Sequence, residues 1–214
     1  MQCTIPVLTV PKKGYTLLMN SLCKALCLAL LAGFAVAQQP QTTGAAPFDK
    51  NALTALVKQQ FGTTFSLPQK FPTPLITADF DGDGIEDVAI VADSKEPIPD
   101  SFNFKYQIGD PYNSYFGLGD PNISSTFSTG ERNQHCILVI FGDGPEGWRS
   151  ATPKAKFVLI NIPFDDITTG RIMIKKNKPP IFVIRVVESE IMDSNVFWDA
   201  KRKKWHWEPG QTAN

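Results

Sequence analysis

Asp79-Phe80-Asp81-Gly82-Asp83-Gly84-Ile85-Glu86-Asp87 joins two apolar runs, residues 75–80 and 88–92, and its reading decides the fold. Aspartates stand at its first, third, fifth and ninth positions, with Glu86 at the eighth. Calcium takes about six to eight oxygens at roughly 2.3–2.6 Å, so a short loop must aim several carboxylates at one point. Alternation at the first, third and fifth positions sends Asp79, Asp81 and Asp83 to one side of a tight turn, while Gly82 and Gly84 allow the positive φ that such curvature needs. Ile85 would add its carbonyl and Asp87 a further carboxylate as the outgoing strand begins, leaving Glu86 to solvent. An EF-hand is excluded, because it needs flanking helices and an acid at the twelfth position, which is Ile90. Asp-Gly pairs also favour tight hairpins without any metal. Four carboxylates in so short a span repel one another, which argues for a cation among them.

Working outward, residues 75–80 and 88–92 read as strands, rich in branched side chains and bounded by turn residues. Further runs at 136–141, 157–162, 172–174, 181–187, 196–198 and 205–207 bring the count to about seven or eight short strands. Turns at Gly142-Asp143-Gly144-Pro145 and Asn177-Lys178-Pro179-Pro180 separate some of them, and the short spacing favours antiparallel neighbours. Ahead of them, Leu53, Leu56, Val57 and Phe61 recur at helical spacing, with Asp49 placed as N-cap and Gly62 as stop. The expected fold class is α+β, mostly β: an antiparallel sheet of those strands with one N-terminal amphipathic helix on a sheet face. Residues 94–133 break the rhythm. They form a long insertion loop rich in Asn, Ser, Gly, Asp and Pro, whose aromatics, Phe102, Phe104, Tyr106, Tyr112, Tyr115, Phe116 and Phe127, would tack it to the sheet or form a flap over a ligand. Asn122-Ile123-Ser124 fits a glycosylation sequon.

The stretch from Ile76 to Val91, Ile-Thr-Ala-Asp-Phe-Asp-Gly-Asp-Gly-Ile-Glu-Asp-Val-Ala-Ile-Val, resembles the FG-GAP or VCBS-type repeat. The resemblance implies a calcium loop between two strands of a blade-like hairpin, with Asp79, Asp81, Asp83, the Ile85 carbonyl and Asp87 as ligands. Leu138-Val139-Ile140-Phe141-Gly142-Asp143-Gly144-Pro145-Glu146-Gly147-Trp148 is similar to the second half of such a repeat. One acidic loop in a chain of this length does not supply the several blades of a complete propeller.

Lys24 followed by Ala25-Leu26-Cys27-Leu28-Ala29-Leu30-Leu31-Ala32-Gly33-Phe34-Ala35-Val36-Ala37 reads as a signal peptide over 1–37, cleaved after Ala37, with Met19 a candidate start. The run falls short of the roughly 20 apolar residues of a membrane span, so a secreted or periplasmic protein without a permanent anchor is expected. Residues 38–47 lack large apolar side chains and read as a disordered leader, leaving 48–214 as a single β-rich domain. Cys3, Cys23 and Cys27 belong to the signal region, so Cys136 remains alone, and its place before an apolar run predicts a buried structural thiol. Loss of Lys12, Lys13 and Lys24 with the signal leaves 18 basic against 21 acidic residues, a charge of −3, which gives no reason to expect nucleic acid as partner.

No nucleophile elbow, zinc-protease helix or phosphate loop is present. His135 and Cys136 are consecutive on a strand, face opposite ways and cannot form a dyad. Glu188 and Glu190 share a strand face with Asp193 near, and Asp165 and Asp166 form a second acidic pair; two carboxylates can serve glycoside hydrolysis. Trp198-Asp199-Ala200-Lys201-Arg202-Lys203-Lys204-Trp205-His206-Trp207 reads as a hairpin with four cations in its turn, alternatively a tip that binds sugar or polyanion. The expected function is a secreted, calcium-binding, non-enzymatic module acting in binding or envelope organisation, with protein or polysaccharide of the cell envelope as candidate partners and no role assigned. The competing expectation is a secreted hydrolase of polysaccharides or esters.

Overall fold

A computed structural model describes residues 49–94, 96–118, 135–189 and 192–210. The signal segment 1–37, the leader 38–47, the sequon at Asn122, Phe127 and Glu190 lie outside the described residues. Helix α1 (Lys50–Phe61) opens the domain as the apolar spacing predicts. Its N-cap Asp49 accepts the Asn51 N–H at 2.9 Å, and Gly62, at φ 96°, ends it by donating its N–H to the Lys58 carbonyl.

Among the described residues nine strands follow, in two sheets rather than the one expected. The larger sheet runs β1 (Leu75–Ala78), β2 (Asp87–Asp93), β4 (His135–Phe141), β5 (Ala155–Leu159) and β3 (Gln107–Gly109). Its pairings are antiparallel except for β3 against β5, which is parallel. The smaller sheet is an antiparallel meander of β6 (Asp166–Ile172), β7 (Ile181–Ser189), β8 (Met192–Asp199) and β9 (Lys204–Pro209).

Burial explains why one sheet was not enough. In the larger sheet, Val88, Ile90, Cys136, Leu138, Ile140 and Val158 join Leu53, Val57 and Phe61 of α1 in one core. The alternate residues Ala89, Val91, Ile137, Val139, Phe157 and Leu159 join Ile184, Val186, Val196 and Trp205 of the smaller sheet in a second core. Successive side chains point to opposite faces, so a strand apolar at every position must be covered twice. The order is therefore helix, five-stranded sheet, four-stranded sheet.

The single-helix expectation is corrected as well. Two short helices, α2 (Ser101–Phe104) and α3 (Pro111–Tyr115), and a 3-10 helix over Gly144–Arg149 are present. The described part of the 94–133 interval thus carries α2, β3 and α3. Tyr106 there packs against Phe61 and Phe65, with centroids 5.7 and 5.8 Å away, while Tyr112, Tyr115 and Phe116 surround Trp207. Tyr106, Tyr112, Tyr115 and Phe116 thus tack the described part to the body, whereas Phe102 is exposed. Strand β6 lies earlier than the expected 172–174 run because its Thr168, Thr169 and Gly170 gave no apolar signal; Ile174 sits in the turn after it. Among the described residues no helix is long and apolar enough to cross a membrane.

Candidate metal centre

The acidic segment is the connection from β1 to β2, so strands flank it on both sides. Gly82 and Gly84 take φ of 79° and 89°, the left-handed values their place in the turn called for. The tight curvature turns backbone N–H groups inward, and the aspartates collect them. Asp79 accepts from Gly82 and Asp83 on one oxygen, at 2.8 and 3.0 Å, and from Gly84 on the other, at 2.9 Å. Asp81 accepts from Asp83 and Asp83 from Ile85, at 3.1 and 2.8 Å.

Asp87 is the hub. It is 1% exposed, the first residue of β2, and accepts the N–H groups of Phe80, Asp81 and Gly142 at 2.7, 3.3 and 2.8 Å. Burial pushes its carboxyl up to about 7, aided by the Asp81 charge and opposed by those three donors. Through Gly142 it also binds the loop to the turn after β4. Gly142 must be glycine there: a Cβ would lie 2.4 Å from the Glu86 carbonyl oxygen. Glu86 is exposed as expected, yet its side chain accepts from Trp148 Nε1 at 2.8 Å and from Arg149 at 3.3 Å, and its carbonyl accepts the Trp148 N–H.

Asp79, Asp81 and Asp87 each bring a carboxylate oxygen within 4.8 Å of the others, a grouping able to hold a divalent ion. Asp83 joins them indirectly. The ammonium of Lys154 donates to Asp81 and to Asp83, each at 2.6 Å, and so places positive charge between two of the expected ligands. Hydrogen bonds to Asp81 and then Asp83 raise the Lys154 pKa. For Asp83, burial acts upward, but Lys154 and the Ile85 N–H outweigh it and hold the carboxyl below the usual range. Ile85 is half-buried at the loop exit, its side chain against Gly142. The donor set fits a hard cation, since every group offered is an oxygen. Comparison with family models, curated proteins and solved structures gives no match.

The other acidic candidates and His135 are not part of this grouping. Glu188 is half-buried on β7, Asp193 pairs with Arg185 at 3.5 Å, and Asp166 accepts the N–H of Ile167. His135 contacts Asp93 at 2.5 Å and lies edge-on to Phe71, whereas Cys136 faces the helix-side core and donates to the Ala92 carbonyl. Burial raises the Cys136 pKa, which makes it the structural thiol anticipated. Lys154 was missed. It stands at the entrance to β5, where its N–H donates to the Phe141 carbonyl, and only the β4–β5 register carries it to the acidic turn. A search for a counter-charge to the aspartates is the signal that could have found it.

Proposed function

We propose that residues 79–87 form a calcium site, and that the protein is an exported, calcium-stabilised β-rich binding module related to the FG-GAP or VCBS-type repeat. The observation that carries the reading is the convergence of Asp79, Asp81 and Asp87 within 4.8 Å, beside a position where Lys154 already supplies positive charge. Calcium is favoured over softer transition metals because no imidazole or thiolate belongs to the group. Asp79, Asp81 and Asp87 would hold the ion, with Asp83 and the Ile85 carbonyl completing the set. A bound ion would neutralise the carboxylates and fix the β1–β2 connection against the turn after β4, a structural role. The two segments that carry the family resemblance adjoin through Asp87–Gly142 and Glu86–Trp148, which supports treating them as one unit.

A second reading rests on the same lysine. With Lys154 bonded to Asp81 and Asp83 at 2.6 Å each, the turn would be locked by an internal ammonium and need no metal. Thermal melts with calcium and with chelator separate the two. The calcium reading predicts a higher Tm in calcium and no such rise in Asp81→Asn. The lysine-lock reading predicts equal Tm in both conditions for the unaltered protein.

A further inference from the structure

A cleft of about 980 Å³ opens between the acidic loop of the larger sheet and the hairpin tips of the smaller one. In an antiparallel meander the β6–β7 and β8–β9 turns fall at the same end, so their charges gather there. Lys175 and Lys178 come from the first turn, Lys201 and Arg202 from the second, and all four line the cleft. Arg202 pairs with Asp199 at 3.3 Å, whereas no ion pair among the described residues engages Lys175, Lys178 or Lys201. The floor includes Phe182 and Trp198, half-buried side chains packed on the core between the sheets. The opposite lip carries Asp79 and Asp81.

This polarity selects a ligand. Unpaired ammonium groups call for an anion, and the apolar floor calls for C–H surface. A uronic-acid pyranose carries a carboxylate, an apolar ring face and hydroxyl groups on one small frame. We propose that the cleft binds an acidic oligosaccharide of the uronate type, with Lys175, Lys178 and Lys201 meeting its carboxylates. An inorganic phosphate polymer offers no apolar face to Phe182 and Trp198, and a bilayer surface cannot enter a concave site, although Met173 and Ile174 are exposed beside it. The proposal does not require a metal in the acidic loop.

Calorimetric titration with a short oligogalacturonate, in chelator so that the calcium reading is not engaged, tests it. Saturable binding is expected, falling at least about tenfold in Lys175→Gln/Lys178→Gln/Lys201→Gln and for the methyl-esterified, uncharged oligosaccharide. A control, Lys176→Gln/Lys203→Gln/Lys204→Gln, removes the same charge from tip residues that do not line the cleft, and its affinity should match the unaltered protein. Absence of binding would overturn the proposal. So would equal loss in both triple variants, equal affinity for the methyl ester, or tighter binding of anionic vesicles or of a single-stranded oligonucleotide. A Tm unchanged between the variants shows that the comparison is made on folded protein.

Discussion

The two lips of the cleft carry opposite charge and are built on opposite plans. On the acidic side, oxygens of Asp79 and Asp81 at the lip, and of Asp83 and Asp87 elsewhere in the same loop, accept backbone N–H groups, and Lys154 supplies a counter-charge from the entrance to β5. On the basic lip, Lys175, Lys178 and Lys201 stand exposed without ion pairs among the described residues. Charge that is satisfied from within bears on the fold, as would an ion held there; charge left unsatisfied is available to a larger partner. Substitutions in the acidic loop should therefore be felt as stability, and those on the basic lip as binding.

The largest effect should come from Asp87→Ala, which orphans the N–H groups of Phe80, Asp81 and Gly142 in a buried place. At about 1–3 kcal/mol for an unsatisfied buried group, a loss of at least about 3 kcal/mol in urea unfolding is expected. Next is Gly142→Ala, whose Cβ meets the Glu86 backbone; about 2–3 kcal/mol should be lost, with the 3-10 turn and the loop loosening together in hydrogen exchange.

A pH effect of intermediate size follows from Asp87. Its carboxyl keeps a proton up to about 7 when folded, against an ordinary value of 3.8. Between those values the folded state binds more protons, so stability in chelator should fall as pH rises from about 4 to about 7 and level off above. Calcium favours the ionised form, so its affinity should rise over the same range. Melting curves across that range, with and without calcium, check both signs. The smallest effect on stability belongs to the basic lip: Lys175→Gln/Lys178→Gln/Lys201→Gln should stay within about 0.5 kcal/mol per site by urea unfolding.

Much of this was legible in the chain. Asp49, the apolar spacing to Phe61 and Gly62 marked α1 because helix ends need partners for their free backbone groups. The acidic turn was legible because its constraints are local: glycines where φ is positive and aspartates where N–H groups converge. The second sheet was less so, although Val88-Ala89-Ile90-Val91-Ala92 is apolar at every position and so required cover on both faces. Strand β3 gave no signal, since three residues paired parallel to β5 follow from packing and not from pattern. Lys154 and the gathering of lysines at one end of the smaller sheet depend on strand order, which a sequence does not state.

In the proposed reading the acidic loop takes a divalent cation where Lys154 lends its charge. Calcium titration of Lys154→Met beside the unaltered protein, by calorimetry near neutral pH, tests it most directly. Saturable heat with one ion per chain is expected in both proteins, with tighter binding in the variant once the competing ammonium is gone. Absence of heat in both, with Lys154→Met simply less stable, would contradict it and leave the loop as an acidic turn closed by its own lysine.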